Sequence, residues 1–325
     1  MSRFFNPFSK KAPFDKEEKP VYRYKTRFSL IGTVGSGKSV IATLLFLTAQ
    51  TLSQMIDGFY CRVLEGDSNI RSDVSNMRRG IFPKKTDPMK PYAPEAGLLI
   101  NWPTKFGDKK CQIPIADVAG EVLLQIMRKS KTSKEYSFND RVVDYVKNSD
   151  GILIAAPASR VFLDWDIPIE EETYKDPTYQ NEPDRIEDPD VPLSRIVSDL
   201  ITYKESKHQK FKGIGVILTK WDKIMPYVKR LEIDMDAFEP SGEGLKKFMD
   251  NCFSQTMTEL KASGVPVEFF PSYLTLEKDN EGHTLRWNDK TEKIKLLSIE
   301  NDERRVPEYP EKVYMKVFEW LRSYA

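Results

Sequence analysis

Hydrophobic positions along this chain switch between two periods, and the switching predicts an alternation of strands and helices. Arg27 to Ile31 is a short β-type run that stops at Gly32. From Lys38 to about Gln54 the spacing becomes helical, through Ile41, Leu44, Leu45, Thr48, Leu52 and Met55. The order there is strand, glycine loop, helix. Farther on, Gly97 to Trp102 and Cys111 to Val118 flank a turn at Lys105–Lys110 and predict a β-hairpin. Gly151 to Ala156, Gly213 to Leu218 and Val265 to Phe270 are continuous apolar runs, the pattern of strands covered on both faces. Helical patterns separate them at about 139–148, 192–207 and 242–262. Tyr309 to Tyr324 closes the chain as an amphipathic helix, with Val313, Val317, Phe318 and Leu321 on one side. The expected fold class is α/β, with a mostly parallel central sheet and helices on both faces.

Three stretches depart from this rhythm. Residues 1–24 mix Pro, Lys and Phe without a period and read as a tail. Phe4, Phe5, Phe8 and Phe14 are many aromatics for a solvated arm, which suits docking, on its own domain or on a partner. Residues 164–190 are acidic, carry four prolines and read as an inserted loop. Residues 278–300 read as a second insertion. The expected organisation is a tail over 1–24 and one folded domain over 25–325 holding both insertions.

Composition narrows the function classes. The chain has 325 residues, 40% of them hydrophobic and 30% charged, which is ordinary for a globular protein. Lys plus Arg number 50 and Asp plus Glu 49, so no global basic charge argues for nucleic acid. Tyr22 and Tyr24 beside basic residues read as a solvated edge, because no aromatic-basic platform repeats. Cys61, Cys111 and Cys252 are odd in number and far apart, which predicts unpaired thiols in a reducing compartment. His208 and His283 are isolated and have no metal-ligand spacing. The first 20 residues lack the apolar core of a signal peptide, and Val40–Leu47 is too short to span a bilayer, so a cytoplasmic location is expected.

Three motifs carry the candidate chemistry. Gly32, Thr33, Val34, Gly35, Ser36, Gly37, Lys38 and Ser39 satisfy G-x-x-x-x-G-K-S, with Val40 next in the helix. Glycines let the backbone curl until successive N–H groups form an anion nest. The helix start adds its positive dipole end. Lys38 reaches the β and γ phosphates, and the Ser39 hydroxyl is a hard oxygen ligand for Mg²⁺. The second motif is Asp117-Val-Ala-Gly120 at the end of the Cys111–Val118 run. Asp117 can hold Mg²⁺ through a water, and the Gly120 N–H can meet a γ-phosphate. The third is Thr219-Lys220-Trp221-Asp222, directly after an apolar run. The Asp222 carboxylate can accept from the N1–H and 2-amino groups of guanine, which adenine lacks, and the Lys220 stem can lie across the base.

In their order along the chain, GTVGSGKS, DVAG and TKWD resemble the Ras-like P-loop GTPases of the translation-factor class. The resemblance covers roughly residues 26–325 and implies a G domain binding GTP or GDP with Mg²⁺. The segment Gly80-Ile-Phe-Pro-Lys-Lys-Thr86 looks like the first switch of the bacterial and archaeal double-GTPase domain family. That likeness implies that Thr86 caps Mg²⁺ and the γ-phosphate. Phe270-Pro-Ser272-Tyr273 stands where the family has its base-contacting loop, and Tyr273 replaces the alanine there. Glu121 is a departure, since family members often place Gln after the DxxG glycine to orient water. A carboxylate about 5 Å from a phosphate charge costs roughly 3 kcal/mol at an effective dielectric of about 20. Glu121 is therefore either a group that a partner orders for catalysis or a solvated glutamate without a catalytic role.

The expected activity is GTP hydrolysis to GDP and phosphate, with Lys38, Thr86, Gly120 and Glu121 as catalytic candidates, in a nucleotide-dependent switch. A GTP-binding scaffold or assembly subunit with little hydrolysis is the alternative, and an ATPase is disfavoured by Asp222. The expected partners are an effector or regulator protein, with a homo-oligomer compatible with the same reading. Nucleic acid and an integral membrane segment are not expected.

Overall fold

A computed structural model describes residues 26–33, 35–64, 68–83, 97–105, 107–114, 146–159, 189–231, 233, 235–236, 239–287, 291–298 and 305–325. Its frame is a seven-stranded sheet. The strands are β1 (Thr26–Gly32), β2 (Tyr60–Val63), β3 (Gly97–Trp102), β4 (Lys109–Pro114), β5 (Gly151–Pro157), β6 (Ile214–Thr219) and β7 (Val267–Pro271), in the order β2-β3-β4-β1-β5-β6-β7. The pairings β4–β1, β1–β5, β5–β6 and β6–β7 are parallel. Only β2–β3 and β3–β4 are antiparallel among the pairings of this sheet. The chain is thus α/β with a mostly parallel central sheet, as its apolar runs predict. The hairpin β3–β4 forms where expected.

Six α-helices are described: α1 (Lys38–Met55), α2 (Ser68–Met77), α3 (Asp190–Ser206), α4 (Gly242–Cys252), α5 (Ser254–Ala262) and α6 (Glu311–Tyr324). They cover both faces because the parallel strands expose apolar side chains on both. Along β5, Ile152, Ile154 and Ala156 pack into one core cluster with α3, α4 and α5. Leu153 and Ala155, the alternate residues, pack into a second cluster with α1, α2 and α6. Strand β1 divides likewise, Ile31 to the first cluster and Phe28 with Leu30 to the second. Period-two side-chain alternation makes a continuous apolar run the mark of such a doubly covered strand.

Several details were not legible in the pattern. The edge strand β2 and helix α2 were not predicted. The helical pattern over 242–262 is two helices broken at Phe253, which is buried with φ −132°. Helix α5 has no side-chain cap of its own. The Asp190 carboxylate, from the start of α3, accepts the Gln255 and Thr256 N–H groups at 2.8 Å each. One residue thereby satisfies two otherwise orphaned donors and ties α3 to α5. Residues 278–300, predicted as an insertion, contain β8 (Arg286–Trp287), β9 (Thr291–Glu292) and β10 (Leu296–Ser298). Strand β8 pairs with β9, and β10 pairs with β11 (Arg305–Pro307), all antiparallel. The tail and nearly all of the 164–190 insertion lie outside the described residues.

Cys61, Cys111 and Cys252 are free thiols. Among the described residues, no helix is long and apolar enough to cross a membrane. The most consequential packing of α6 is aromatic. Phe318 is 1% exposed and meets Phe59 and Trp102 edge-on, at 6.0 and 6.4 Å between ring centroids. Phe318→Ala is expected to destabilise the fold by about 3–5 kcal/mol, through lost burial plus the cavity left behind. A urea midpoint unchanged from the wild type would show that α6 is not an integral part of the core.

Candidate functional site

Strands β1, β5, β6 and β7 point the same way and end almost level. Gly32 pairs with Ala155, Pro157 with Thr219, and Leu218 with Pro271. The connection after β1 leads to the β2-β3-β4 side of the sheet, whereas that after β5 leads to β6 on the other side. Chains diverging from adjacent strands leave a crevice at their carboxyl ends, the usual place for ligands in open α/β sheets. The loops after β1, β6 and β7 all carry sequence-predicted site residues.

The loop after β1 folds tightly on its neighbours. A Cβ on Gly32 would stand 2.5 Å from Ser36 Oγ and 2.7 Å from the Ala155 carbonyl oxygen, so no side chain fits. Gly37 precedes α1 with φ 87°, a left-handed conformation that glycine adopts without steric cost. The Ile41 N–H donates to its carbonyl at 2.9 Å, which starts the helix. Helix α1 has no acidic residue in its first turn, so nothing there offsets the positive end of its dipole.

Lys38 is 5% exposed, and its ammonium donates to the carbonyls of Gly32 at 3.2 Å and Thr33 at 3.0 Å. The cation therefore sits over the loop rather than in solvent. Thr33 Oγ1 and Ser36 Oγ are buried within this loop and have no hydrogen-bond partner. Buried hydroxyls normally find partners, and an anion would supply acceptors to both. A buried cation, a helix start and two unsatisfied hydroxyls in one curled loop fit a phosphate group. Ser39 and Val40 are half-buried in the first turn of α1, and Val40 packs against the α1–α2–α6 core. Val34 lies outside the described residues.

The loop after β6 is anchored by its own tryptophan. Trp221 is fully buried and meets Phe248 edge-on at 5.1 Å. Its neighbours Lys220 and Asp222 stay half-buried. Lys220 has φ 56°, a left-handed conformation uncommon for a residue with a side chain, and such backbone strain concentrates at functional sites. The Trp221 N–H donates to the Ser272 carbonyl at 3.1 Å, and the Ser272 N–H donates to the Leu218 carbonyl at 2.8 Å. The loops after β6 and β7 are thus held as a pair. Ser272 itself is buried, with Oγ 2.6 Å from the Tyr314 hydroxyl. The half-buried Tyr273 phenol is shifted above its usual range by burial and then by the carboxylates of Glu308, Asp222 and Glu239. It stays a neutral donor near Asp222.

Thr219, the first residue of the third motif, joins the two halves of the site. Its hydroxyl donates to the Ser36 carbonyl at 2.7 Å and lies 3.4 Å from the Ala156 carbonyl. Its side chain also meets Gly37, where a Cβ would lie 3.5 Å away. A polar residue closing the apolar run of β6 was the available signal.

The structure therefore brings together Gly32, Gly35, Ser36, Gly37, Lys38 and Ser39 with Lys220, Asp222, Ser272 and Tyr273 along one sheet edge. Thr86, Asp117, Gly120 and Glu121 lie outside the described residues. Among the described residues, no group of three or more His, Cys, Asp or Glu could hold a metal ion. Ser39 is the one predicted Mg²⁺ ligand within them. The chain matches no family model, and no curated protein matches it.

Thr219→Val should cost about 1–3 kcal/mol of stability, because the buried Ser36 carbonyl loses its donor while the shape is kept. Thr219→Ser should recover most of it. Equal urea midpoints for all three proteins would show that this hydroxyl does not hold the two loops together.

Proposed function

We propose that this protein binds a guanine nucleotide with Mg²⁺ through a P-loop G domain and hydrolyses GTP to GDP and phosphate as a nucleotide-dependent switch. The observation that carries this reading is the Thr219–Ser36 bond. It ties an anion-accepting loop to a loop bearing a carboxylate of guanine-reading chemistry, at the carboxyl edge of a parallel sheet.

In this reading the curled loop and the start of α1 hold the phosphates, and Lys38 moves from the loop carbonyls to the β and γ oxygens. A charge-assisted bond to phosphate is stronger than one to a neutral carbonyl, so the exchange is favourable. Asp222 accepts the two guanine donors, and Lys220 covers the base. Ser39, with Asp117 and Thr86, would hold Mg²⁺, which neutralises charge on the phosphate oxygens when bound. Glu121 then orients the attacking water, if a partner brings it into place. The γ-phosphate would hold the segments around Thr86 and Gly120, and hydrolysis would release them. The partner expected on this reading is an effector or regulator protein that distinguishes the two states.

A GTP-binding scaffold or assembly subunit shares the binding half of this reading and rests on Glu121. A single-turnover assay of phosphate release separates them, since a scaffold releases none on the timescale of GTP exchange.

Lys38→Ala should weaken GTP and GDP binding by at least about a hundredfold, because two or more charge-assisted bonds at about 1.5–3 kcal/mol each are lost. Unchanged affinity by calorimetry, with a native circular dichroism spectrum, would refute the phosphate site. Asp222→Asn should weaken GTP and improve xanthosine triphosphate, since an amide donates where the carboxylate only accepts. A variant that keeps the wild-type preference for GTP over both ATP and xanthosine triphosphate would exclude Asp222 as the base reader.

A further inference from the structure

Between β7 and α6, the described residues 275–287, 291–298 and 305–308 build a small β module from short, weakly apolar strands. Two isolated bridges, Leu276 with Ile294 and Lys278 with Thr284, and the pairs β8–β9 and β10–β11 hold it together. Its anchor is Ile294, fully buried in the cluster of α1, α2 and α6. Tyr309, just beyond it, places its hydroxyl 3.0 Å from Thr48 Oγ1 on α1. The module is therefore seated on the helix that starts at the phosphate loop.

Two contacts leave the β8–β9 hairpin in different directions. One goes to Gly80, which follows α2 with φ 79° and begins the segment leading to Thr86. The Gly80 carbonyl accepts the Ile294 N–H at 2.9 Å and the Trp287 indole N–H at 3.0 Å. A Cβ on Gly80 would stand 3.0 Å from the Ile294 carbonyl, so the glycine permits this close approach. The Trp287 ring is in turn covered by the Lys293 ammonium, 5.3 Å from its centroid. The other contact goes to Lys223, whose ammonium lies 3.4 Å from Glu292 Oε1. Lys223 is the residue after Asp222, in the same 3-10 turn.

We propose that the β8–β9 hairpin is a strut coupling the guanine-reading loop to the Gly80–Pro83 segment that follows α2, with Glu292 and Lys223 as its positioning pair. The proposal rests on the nucleotide reading above. A base held by Asp222 restrains the turn that carries Lys223, the ion pair passes that restraint to β9, and the hairpin holds the Gly80 carbonyl. Coupling requires that one element make contacts both sites can bias, and the hairpin makes both. The Lys223 and Glu292 side chains are 31% and 33% exposed, so the effect is a few-fold rather than all-or-none.

Amide exchange and calorimetry on the full chain, with GDP as the probe, test this. In the wild type, GDP should slow exchange at Ile81 and Ile294 by about twofold to fivefold. Glu292→Gln should lose that slowing while GDP affinity falls by no more than about fivefold. The reversed pair, Lys223→Glu with Glu292→Lys, should restore it, which a merely structural role of either residue would not do. Slowing that survives in Glu292→Gln overturns the strut, as does a reversed pair that fails to restore it. So does a wild type that binds GDP by calorimetry without any slowing at these amides. A wild type that binds no GDP by calorimetry overturns the nucleotide reading itself, and the strut with it.

Discussion

Parallel pairing of β1 with β5, and of β5 with β6, is the constraint on which the rest of the molecule depends. Each of these strands is apolar on both faces, so each must be covered twice, and helices supply the cover on both sides. Parallel strands also need crossovers, which return the chain to the same end of the sheet every time. The loops after β1, β5, β6 and β7 are therefore gathered on one edge by the sheet itself. Lys38 and Asp222, 184 positions apart in the chain numbering, are brought to the same end of the sheet by that geometry.

The edge is then stiffened by a few directed bonds. Thr219 donates to Ser36, Trp221 to Ser272, and Ser272 to Leu218. Each pins one loop to a backbone carbonyl of a neighbouring segment, so each matters as a constraint on loop position more than through its net energy. Trp221 adds an apolar anchor between two polar residues, which directs the loop without filling it. In contrast, the loop after β1 keeps two buried hydroxyls unsatisfied beside a buried cation that donates to the Gly32 and Thr33 carbonyls. Buried polar atoms without a partner also occur elsewhere among the described residues, at Arg78 Nε and Asn101 Oδ1, but here two of them share one curled loop with a buried cation.

The module over residues 275–308 is the feature that most individualises this chain. Among its described residues it buries Ile294 and Pro307, and otherwise it acts through backbone and surface contacts. Such an element is easily displaced, because it carries little apolar burial of its own. That makes it suited to transmit small biases between loops, and unsuited to stabilise the domain.

The sequence by itself determined the alternation of strands and helices, because burial period follows from backbone geometry and is written in the order of residues. The apolar run of β5 and the helical spacing of α1 are local facts, and the structure repeats them. The same holds for the glycine loop, whose residue types only suit a curled backbone. Tertiary structure alone decided the rest. Nothing local marks β2, with an exposed Tyr60 and one buried position in four, as a strand; it exists because β3 offers it an edge. The break at Phe253 is stabilised by Asp190, more than 60 residues upstream, so no window of sequence could reveal it. The hairpin that reaches Gly80 and Lys223 looked like an insertion, because short strands bury too little to leave a period. Thr219 was visible as a residue but not as a link, since its partner Ser36 is brought to it only when β1, β5 and β6 are packed side by side.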